Sequence, residues 1–243
     1  MKKTTPELIF KENDYCSGCG HAIFDRILAE SLIELDIGQI AICALDIACS
    51  SIAARHFHID YVHGPHGRMA AVAKGIKSVR PNNIVFGRCG DGAAYAIGLA
   101  ETMSSAIRND NITMFVINNG VYAMTGGQMA PTSLPGQVTT SSPSGKDPNR
   151  FGQPVDVTKL MGGLDIAYLA RGALTGVKDI KKTKKLVKKG LQKQIDNMGF
   201  SLVEIMSMCP TNWGLTPIKA IDRLKNDVLN IYSLGEFIDK ERT

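Results

Sequence analysis

Gly90-Asp91-Gly92 and, 28 residues further on, Asn118-Asn119 are the residues whose types and spacing point most directly to chemistry. Asp91 and Asn119 offer two hard oxygen ligands, a set that suits Mg2+ held largely by a diphosphate. The glycines beside Asp91 let the backbone approach that group, and a helix start presents free N–H groups to it. The flanking elements agree. Asn83-Ile84-Val85-Phe86-Gly87 is an apolar strand pattern running into Gly-Asp-Gly, and Ala93 to Arg108 has helical character. Ile112-Thr113-Met114-Phe115-Val116-Ile117 is a second strand pattern, closed by Asn-Asn. In a parallel α/β sheet both motifs fall at carboxyl strand ends, where such sheets bind ligands. Gly-Asp-Gly alone is a common turn; the order strand, GDG, helix, strand, NN is specific.

Six cysteines suggest a metal or redox role if the chain is cytoplasmic, where disulfides are rare. Cys16-Ser17-Gly18-Cys19 is a CxxC turn able to present two thiolates to one site. Cys49 and Cys209 each follow a predicted strand, and Pro210 follows Cys209. Four thiolates from three loops could bind a [4Fe–4S] cluster or a structural zinc, and the residues alone leave both open. Cys43 lies inside an apolar strand and Cys89 abuts Gly90, so both read as small core residues. His66, in His63-Gly64-Pro65-His66-Gly67-Arg68, fits a proton handler or substrate contact and equally a structural turn. His21 reads as a helix-start residue, and His56 and His58 have no assigned task.

The elements that must position these residues alternate. Helices are predicted over His21–Leu35, Gly67–Val79 and Ala93–Arg108; strands over Gln39–Leu45, Asn83–Gly87, Ile112–Ile117, Ile166–Ala170 and Phe200–Met206. That alternation predicts an α/β fold with a mostly parallel central sheet and helices on both faces. Hydrophobic content of 44% with only 6% aromatic residues implies an aliphatic, Ala/Gly-rich core. Residues 1–243 read as a single domain with an N-terminal CxxC segment, a long loop over 125–154 and a C-terminal extension from about 209. Five of the ten prolines fall in that loop, which marks it as an active-site or interface segment rather than regular structure. Apolar runs are too short to span a bilayer, and the first residues lack a signal-peptide pattern, so a soluble cytoplasmic protein is expected.

Eight lysines between Lys178 and Lys193 exceed the whole net charge of +5, so the rest of the chain is net negative. Val177, Ile180, Val187, Leu191 and Ile195 recur at helical spacing through them, predicting a helix with a solvated basic face or a docking face for an acidic partner. No aromatic residue interleaves the lysines, which argues against nucleic-acid binding.

Strand, GDG, helix, strand, NN resembles the thiamine diphosphate fingerprint. Together with CSGCGH, CSS at Cys49, HGPHGR, MTGGQ and CPTNWG, the chain is similar to β subunits of 2-oxoacid:ferredoxin oxidoreductases from about Tyr15 to Phe237. The resemblance implies thiamine diphosphate, Mg2+ and a [4Fe–4S] cluster as cofactors. It implies Cys16, Cys19, Cys49 and Cys209 as cluster ligands, and Asp91, Asn119 and the Val121 carbonyl as Mg2+ ligands. Ile47, Ala48, Cys49, Ser50, His66, Gly67, Gly90, Gly92, Ala93, Ala123 and Met124 would line the cofactor. The implied activity is oxidative decarboxylation of a 2-oxoacid to acyl-coenzyme A and CO2, with electrons passed to ferredoxin or flavodoxin. The carboxylate that activates the cofactor has no counterpart here and belongs to an α subunit in that family; gamma and delta subunits are possible partners there. PTSLPGQVTT and CPTNWG look most like the 2-oxoisovalerate branch, with 2-oxoglutarate next. Gly126 stands where some members carry lysine, favouring an apolar substrate tail. Asp46 and Ala48 replace glycines, and Ala93 replaces a second aspartate that is not a metal ligand. Two other readings stay distinct: a non-oxidative decarboxylase or synthase half with structural zinc, and a non-catalytic docking protein.

Overall fold

The computed structural model describes residues 4–241. Its centre is a sheet of β1 (Ala41–Asp46), β2 (Asp60–Gly64), β3 (Ile84–Gly90), β4 (Thr113–Asn118), β7 (Tyr168–Ala173), β8 (Ser201–Met206) and β9 (Gly235–Asp239). Their spatial order is β2-β1-β3-β4-β8-β7-β9, parallel throughout except for β9 at one edge. A separate hairpin pairs β5 (Val121–Tyr122) with β6 (Gln128–Met129). From β1 the chain passes outward to β2, then crosses to β3 on the other side. The winding reverses there, and the carboxyl ends of β1, β3, β4 and β8 border one crevice.

β4, β7 and β8 are buried at every position, which is why they read as continuous apolar runs rather than alternating ones. One face is covered by α1 (Gly20–Glu34) and α6 (Val177–Ile195). There Phe24, Leu28 and Leu191 pack on Phe86, Phe115 and Val203. The other face carries α2 (Met69–Val79) and α3 (Leu99–Ile107), where Met69, Ala73 and Ala106 pack with Val85, Met114 and Leu202. Short helices α4 (Pro148–Phe151) and α5 (Val157–Met161) follow the hairpin; α7 (Pro210–Trp213) and α8 (Pro217–Arg223) follow β8.

Four local expectations need correction. The helix expected over Ala93–Arg108 is a π turn at Ala93–Ile97 followed by α3. The break has a steric cause: a Cβ on Gly98 would lie 1.8 Å from the Gly67 carbonyl oxygen, and Gly67 sits at φ +81°. Two backbones cross in contact there, and the wider turn brings Gly98 to the crossing. Second, the β7 pattern is displaced: the strand runs to Ala173. Third, β2 and β9 were not anticipated, because as edge strands they leave most of their side chains outside the core. Fourth, the apolar stripe of α6 is only partly inward. Val177 is 68% exposed, while Thr183, Gly190 and Gln194 are buried. Gln194 earns its place by accepting from Val85 N (2.7 Å) and donating to Val85 O (2.8 Å). Among the described residues no helix is long and apolar enough to cross a membrane.

Candidate functional site

Asp91 follows β3 directly and is 1% exposed. Thr132 Oγ1 donates to its Oδ2, and Asn119 N donates to Oδ1 at 3.4 Å. Burial pushes the Asp91 carboxyl up to about 7 despite those donors. No lysine, arginine or histidine pairs with it among the described residues. A buried carboxylate with no cationic partner is a site whose donor chemistry fits a divalent cation.

The two asparagines of the NN pair have different tasks. Asn118 Nδ2 donates to Glu204 Oε1 (2.9 Å), and its Oδ1 accepts from Gly120 N (3.2 Å), so this residue shapes the turn. Asn119 faces the crevice, with Oδ1 accepting from Val121 N at 3.2 Å. Gly120 takes φ +66° between them. Its carbonyl accepts from Ser133 Oγ (2.6 Å) and Gln137 Nε2 (2.9 Å), both from the segment after the hairpin. Lys146 holds that segment from behind, donating to the Pro131 and Ser133 carbonyls at 3.2 and 3.0 Å. The proline-rich stretch is thus a hydrogen-bonded wall of the site.

A cavity of about 40 Å3 lies between these carboxyl ends. Ala48, Cys49, Ser50, His66, Gly90, Asp91, Gly92, Ala93, Asn119, Val121, Ala123 and Met124 line it, together with His21 and Tyr122. Ser50 Oγ is buried with no protein hydrogen-bond partner, a donor free for a ligand. The room is tight: a Cβ on Gly92 would lie 2.3 Å from the Tyr122 ring. Two expected lining residues, each next in sequence to one that does line it, are not part of its wall. Ile47 is 52% exposed at the rim, and Gly67 is spent on the crossing with Gly98.

Sequence reasoning passed over Asp46, seen only as added bulk. It is fully buried at the end of β1; its Oδ1 accepts from Gly67 N (3.0 Å), and its Oδ2 is 3.0 Å from His66 Nδ1. Burial raises the Asp46 pKa, with Gly67 and His66 opposing. Asp46 therefore sets the His63–Arg68 turn and the ring of His66, which is part-exposed toward the cavity. A carboxylate at a strand's carboxyl end was the available signal. Asp46→Ala is expected to strand the Gly67 N–H and destabilise the chain by about 1–3 kcal/mol. Asp46→Asn keeps an acceptor and should cost less than about 1 kcal/mol; denaturant unfolding of the two variants checks the order.

A second cavity, about 240 Å3, is lined by Cys16, Cys19, Cys49 and Cys209 with Tyr15, His21, Asn119, Ala123, Met124 and others. Gly18 at φ +75° closes the CxxC turn, and Cys19 N donates to Cys16 O at 3.0 Å. Asn212 Nδ2 donates to Cys209 Sγ (3.3 Å). Burial raises the Cys49 thiol to about 11 and the Cys19 thiol to about 12, with neighbouring cysteines adding to the rise. Thiolates would need compensating positive charge, which a bound metal centre provides. Among the described residues no three Cys, His, Asp or Glu side chains converge on one point as ligands of a single ion would. Cys43 and Cys89 are buried in the core, away from this cavity.

Behind the cysteines, Arg88 is fully buried. Its Nη2 is 2.5 Å from Asp25 Oδ1 and donates to Tyr15 Oη at 3.1 Å. His21 Nδ1 is 3.3 Å from the same nitrogen and its ring stacks on Tyr15 at 5.3 Å. Burial, then Arg88, lowers the His21 pKa to about 3, so its imidazole is neutral. His56, without a task in the sequence, holds Asp25 Oδ2 at 2.8 Å.

A doubly wound, mostly parallel sheet with a desolvated aspartate and an asparagine turn at adjacent strand ends is the architecture of α/β proteins that bind a phosphorylated cofactor at the strands' carboxyl ends. Comparison with known proteins narrows the class. Residues 36–205 match the family model described as thiamine pyrophosphate enzyme, C-terminal TPP binding domain. Ketoisovalerate oxidoreductase subunit VorA of Methanothermobacter marburgensis is 37% identical over 227 residues, 93% of this chain and 48% of that one. The 2-oxoglutarate synthase subunit KorB of Methanocaldococcus jannaschii is 33% identical, covering 94% and 88%. A solved 2-oxoglutarate:ferredoxin oxidoreductase from Magnetococcus marinus, with 2-oxoglutarate, coenzyme A and succinyl-CoA bound, superposes on the whole chain and 87% of its own (TM-score 0.81, 24% identity). The chain belongs to the thiamine pyrophosphate enzymes, in the family of 2-oxoacid:ferredoxin oxidoreductase subunits that includes VorA and KorB. It spans about half the length of the VorA relatives it matches.

Proposed function

We propose that this chain is the β subunit of a 2-oxoacid:ferredoxin oxidoreductase, carrying the diphosphate half of the thiamine diphosphate site and a [4Fe–4S] cluster. One observation carries the reading. The aspartate–asparagine cavity and the four-cysteine cavity share His21, Cys49, Asn119, Ala123 and Met124 as common wall, so cofactor and electron acceptor would abut. Thiamine diphosphate supplies the electron sink for decarboxylating a 2-oxoacid, and the cluster supplies one-electron transfer. This chain's residues do the rest of the binding. Asp91, Asn119 and the Val121 carbonyl hold Mg2+; Ser50 and the backbone at Gly92–Ala93 meet the diphosphate; Cys16, Cys19, Cys49 and Cys209 hold the cluster. His66, fixed by Asp46, faces the same cavity as the polar group available to a substrate or a proton.

Zinc is the weaker reading of the cysteines. A tetrahedral zinc with bonds of about 2.3 Å needs sulfurs about 3.8 Å apart. A cavity of about 240 Å3 lined by all four cysteines has room for the larger cluster. The cavity at Asp91, about 40 Å3, lies far below the ~300–1,000 Å3 of small-molecule sites. That supports a site completed by an α subunit, which would also bring the activating carboxylate. The substrate is a 2-oxoacid activated to its coenzyme A ester; the ketoisovalerate relatives and Gly126 in the MTGGQ turn favour an apolar branched tail, with 2-oxoglutarate next.

Anaerobic purification with the α partner, followed by iron, sulfide, zinc and thiamine diphosphate analysis, tests the proposal. About four irons and four sulfides per heterodimer are expected, together with one cofactor; zinc without sulfide sinks it. Cys209→Ser should lose more than half of that iron while keeping thiamine diphosphate, since Cys209 lies outside the wall the two cavities share.

A further inference from the structure

The eight lysines of α6 divide into two groups. Lys184 reaches Glu30 (2.7 Å) and Glu34 (2.5 Å), and Lys188 reaches Glu34 (2.8 Å). Lys189 binds Glu236 (2.6 Å) and Asp239, and Lys193 binds Asp239 (2.9 Å). Those four tie the helix to α1 and to the edge strand β9. Lys178, Lys181, Lys182 and Lys185 are exposed and have no acidic partner among the described residues. Asp179, the acid of that half, is engaged by Thr175 Oγ1. Four positive charges against one negative remain at the start of the helix, which is the end nearest the carboxyl edge of the sheet.

That end starts a short way from the residue that follows Cys19. The Leu174 side chain comes within 3.0 Å of a Cβ placed on Gly20, the residue after Cys19. α6 begins three residues beyond Leu174, within about 11 Å at full extension. Cys16, Ser17 and Gly18 are exposed, so the pocket meets solvent at the CxxC turn, while His21, Cys49, Asn119, Ala123 and Met124 form its common wall with the cofactor cavity. Val177, 68% exposed, adds an apolar side chain at the start of the same helix.

We propose that the first half of α6 is the docking face for a small acidic one-electron carrier protein, which it seats against the Cys16–Gly18 turn. The proposal rests on the reading that the four cysteines hold a cluster. A carrier must arrive quickly, orient and leave after each electron, which calls for a small interface steered by opposite charge rather than a large apolar one. Lysines locked in internal ion pairs cannot serve; flexible, hydrated ones can. A cluster held by Cys16, Cys19, Cys49 and Cys209 would supply one electron to the oxidised carrier in each encounter, with no bond or proton changing hands.

The test uses the intact complex with its α subunit, immobilised anaerobically, and a purified acidic bacterial-type ferredoxin as probe. Binding is read by biolayer interferometry at about 20 mM and about 300 mM salt, which brackets strong and weak screening. K178E/K181E/K182E/K185E should weaken low-salt binding at least about tenfold and abolish its salt dependence. K159E/K225E, exposed lysines elsewhere, should bind as the wild type. Reduction of methyl viologen, a small acceptor that needs no protein interface, should be equal in all three. A fourfold-reversed variant that binds ferredoxin as the wild type overturns the docking face. A wild-type complex without cluster iron or viologen reduction overturns the underlying reading, and this proposal with it.

Discussion

Asp91→Asn is expected to abolish Mg2+-dependent binding of thiamine diphosphate while making the cofactor-free protein more stable. The two effects share one cause. Burial raises the Asp91 carboxyl from 3.8 to about 7, so the unliganded fold resists its ionisation. A carboxyl whose folded pKa exceeds its unfolded value stabilises the fold only while protonated. That contribution is full below about pH 4 and is lost as pH rises through about 7. At about 1.4 kcal/mol per tenfold in proton affinity, the ionised group costs on the order of 4 kcal/mol at pH 8. Asparagine has no charge to desolvate; its one oxygen can accept from Asn119 N while its amide donates to Thr132 Oγ1, which is itself able to accept. Thermal unfolding of the cofactor-stripped complex should therefore show a gain for Asp91→Asn at pH 8 and little at pH 4. Calorimetry with Mg2+ and thiamine diphosphate should show at least ~100-fold weaker binding, beyond the loss usual for an outer-shell partner. Binding within tenfold of wild type would remove Asp91 from the ligand set.

Arg171→Met should destabilise the protein by about 3–5 kcal/mol, the usual consequence of leaving a buried charge without its partner. Arg171 is fully buried on β7, with Nε 2.5 Å from Glu204 Oε2 and Nη2 2.6 Å from Asp156 Oδ1. Its Nη1 donates to the Ser233 carbonyl at 3.1 Å. Glu204, also fully buried, spends its other oxygen on Asn118 Nδ2, and through Asn118 it supports the turn that presents Asn119. Losing the guanidinium strands Glu204 as a charge in the core, one strand from the Asn118–Asn119 turn. A fall in melting temperature of about 10 °C is expected for a chain of this size, together with weaker cofactor retention. Adding Glu204→Gln should restore at least half of the stability, because the amide oxygen still accepts from Asn118 and the fully buried charge is gone, leaving only Asp156, which is 19% exposed and keeps its Thr158 donors. A loss below 1 kcal/mol in the single variant, or no recovery in the double, would show that the pair does not hold the turn.

Much of the architecture was legible because the inner strands are buried on both faces. β3, β4 and β8 have no solvent side, so their sequences are unbroken apolar runs, and the motifs at their ends could be placed on one edge of a parallel sheet. β2 was illegible for the complementary reason: Asp60-Tyr61-Val62-His63-Gly64 pairs along one side only and keeps most of its side chains in solvent. The π turn at Ala93–Ile97 was hidden because its cause, the Gly67–Gly98 contact, joins residues 31 positions apart.

At the candidate site, the order of motifs at predicted strand ends pointed to Asp91, Asn119 and the four cysteines, and the fold places them around two adjoining cavities. Sequence also specified α6 to the residue, because the 3.6-residue period is a local property. What the neighbours do with these groups came only from the tertiary structure. Nothing in the chain's order shows that Asp46 turns to His66, that Thr132 caps Asp91 from 41 residues away, or that Glu204 braces Asn118. The same holds for the lysines: four of eight are neutralised by acids on α1 and β9, and only the folded chain shows which. Local periodicity and ligand chemistry are written along the chain. The partner of a buried charge is decided by packing between distant segments, where desolvation makes the choice of partner costly to get wrong.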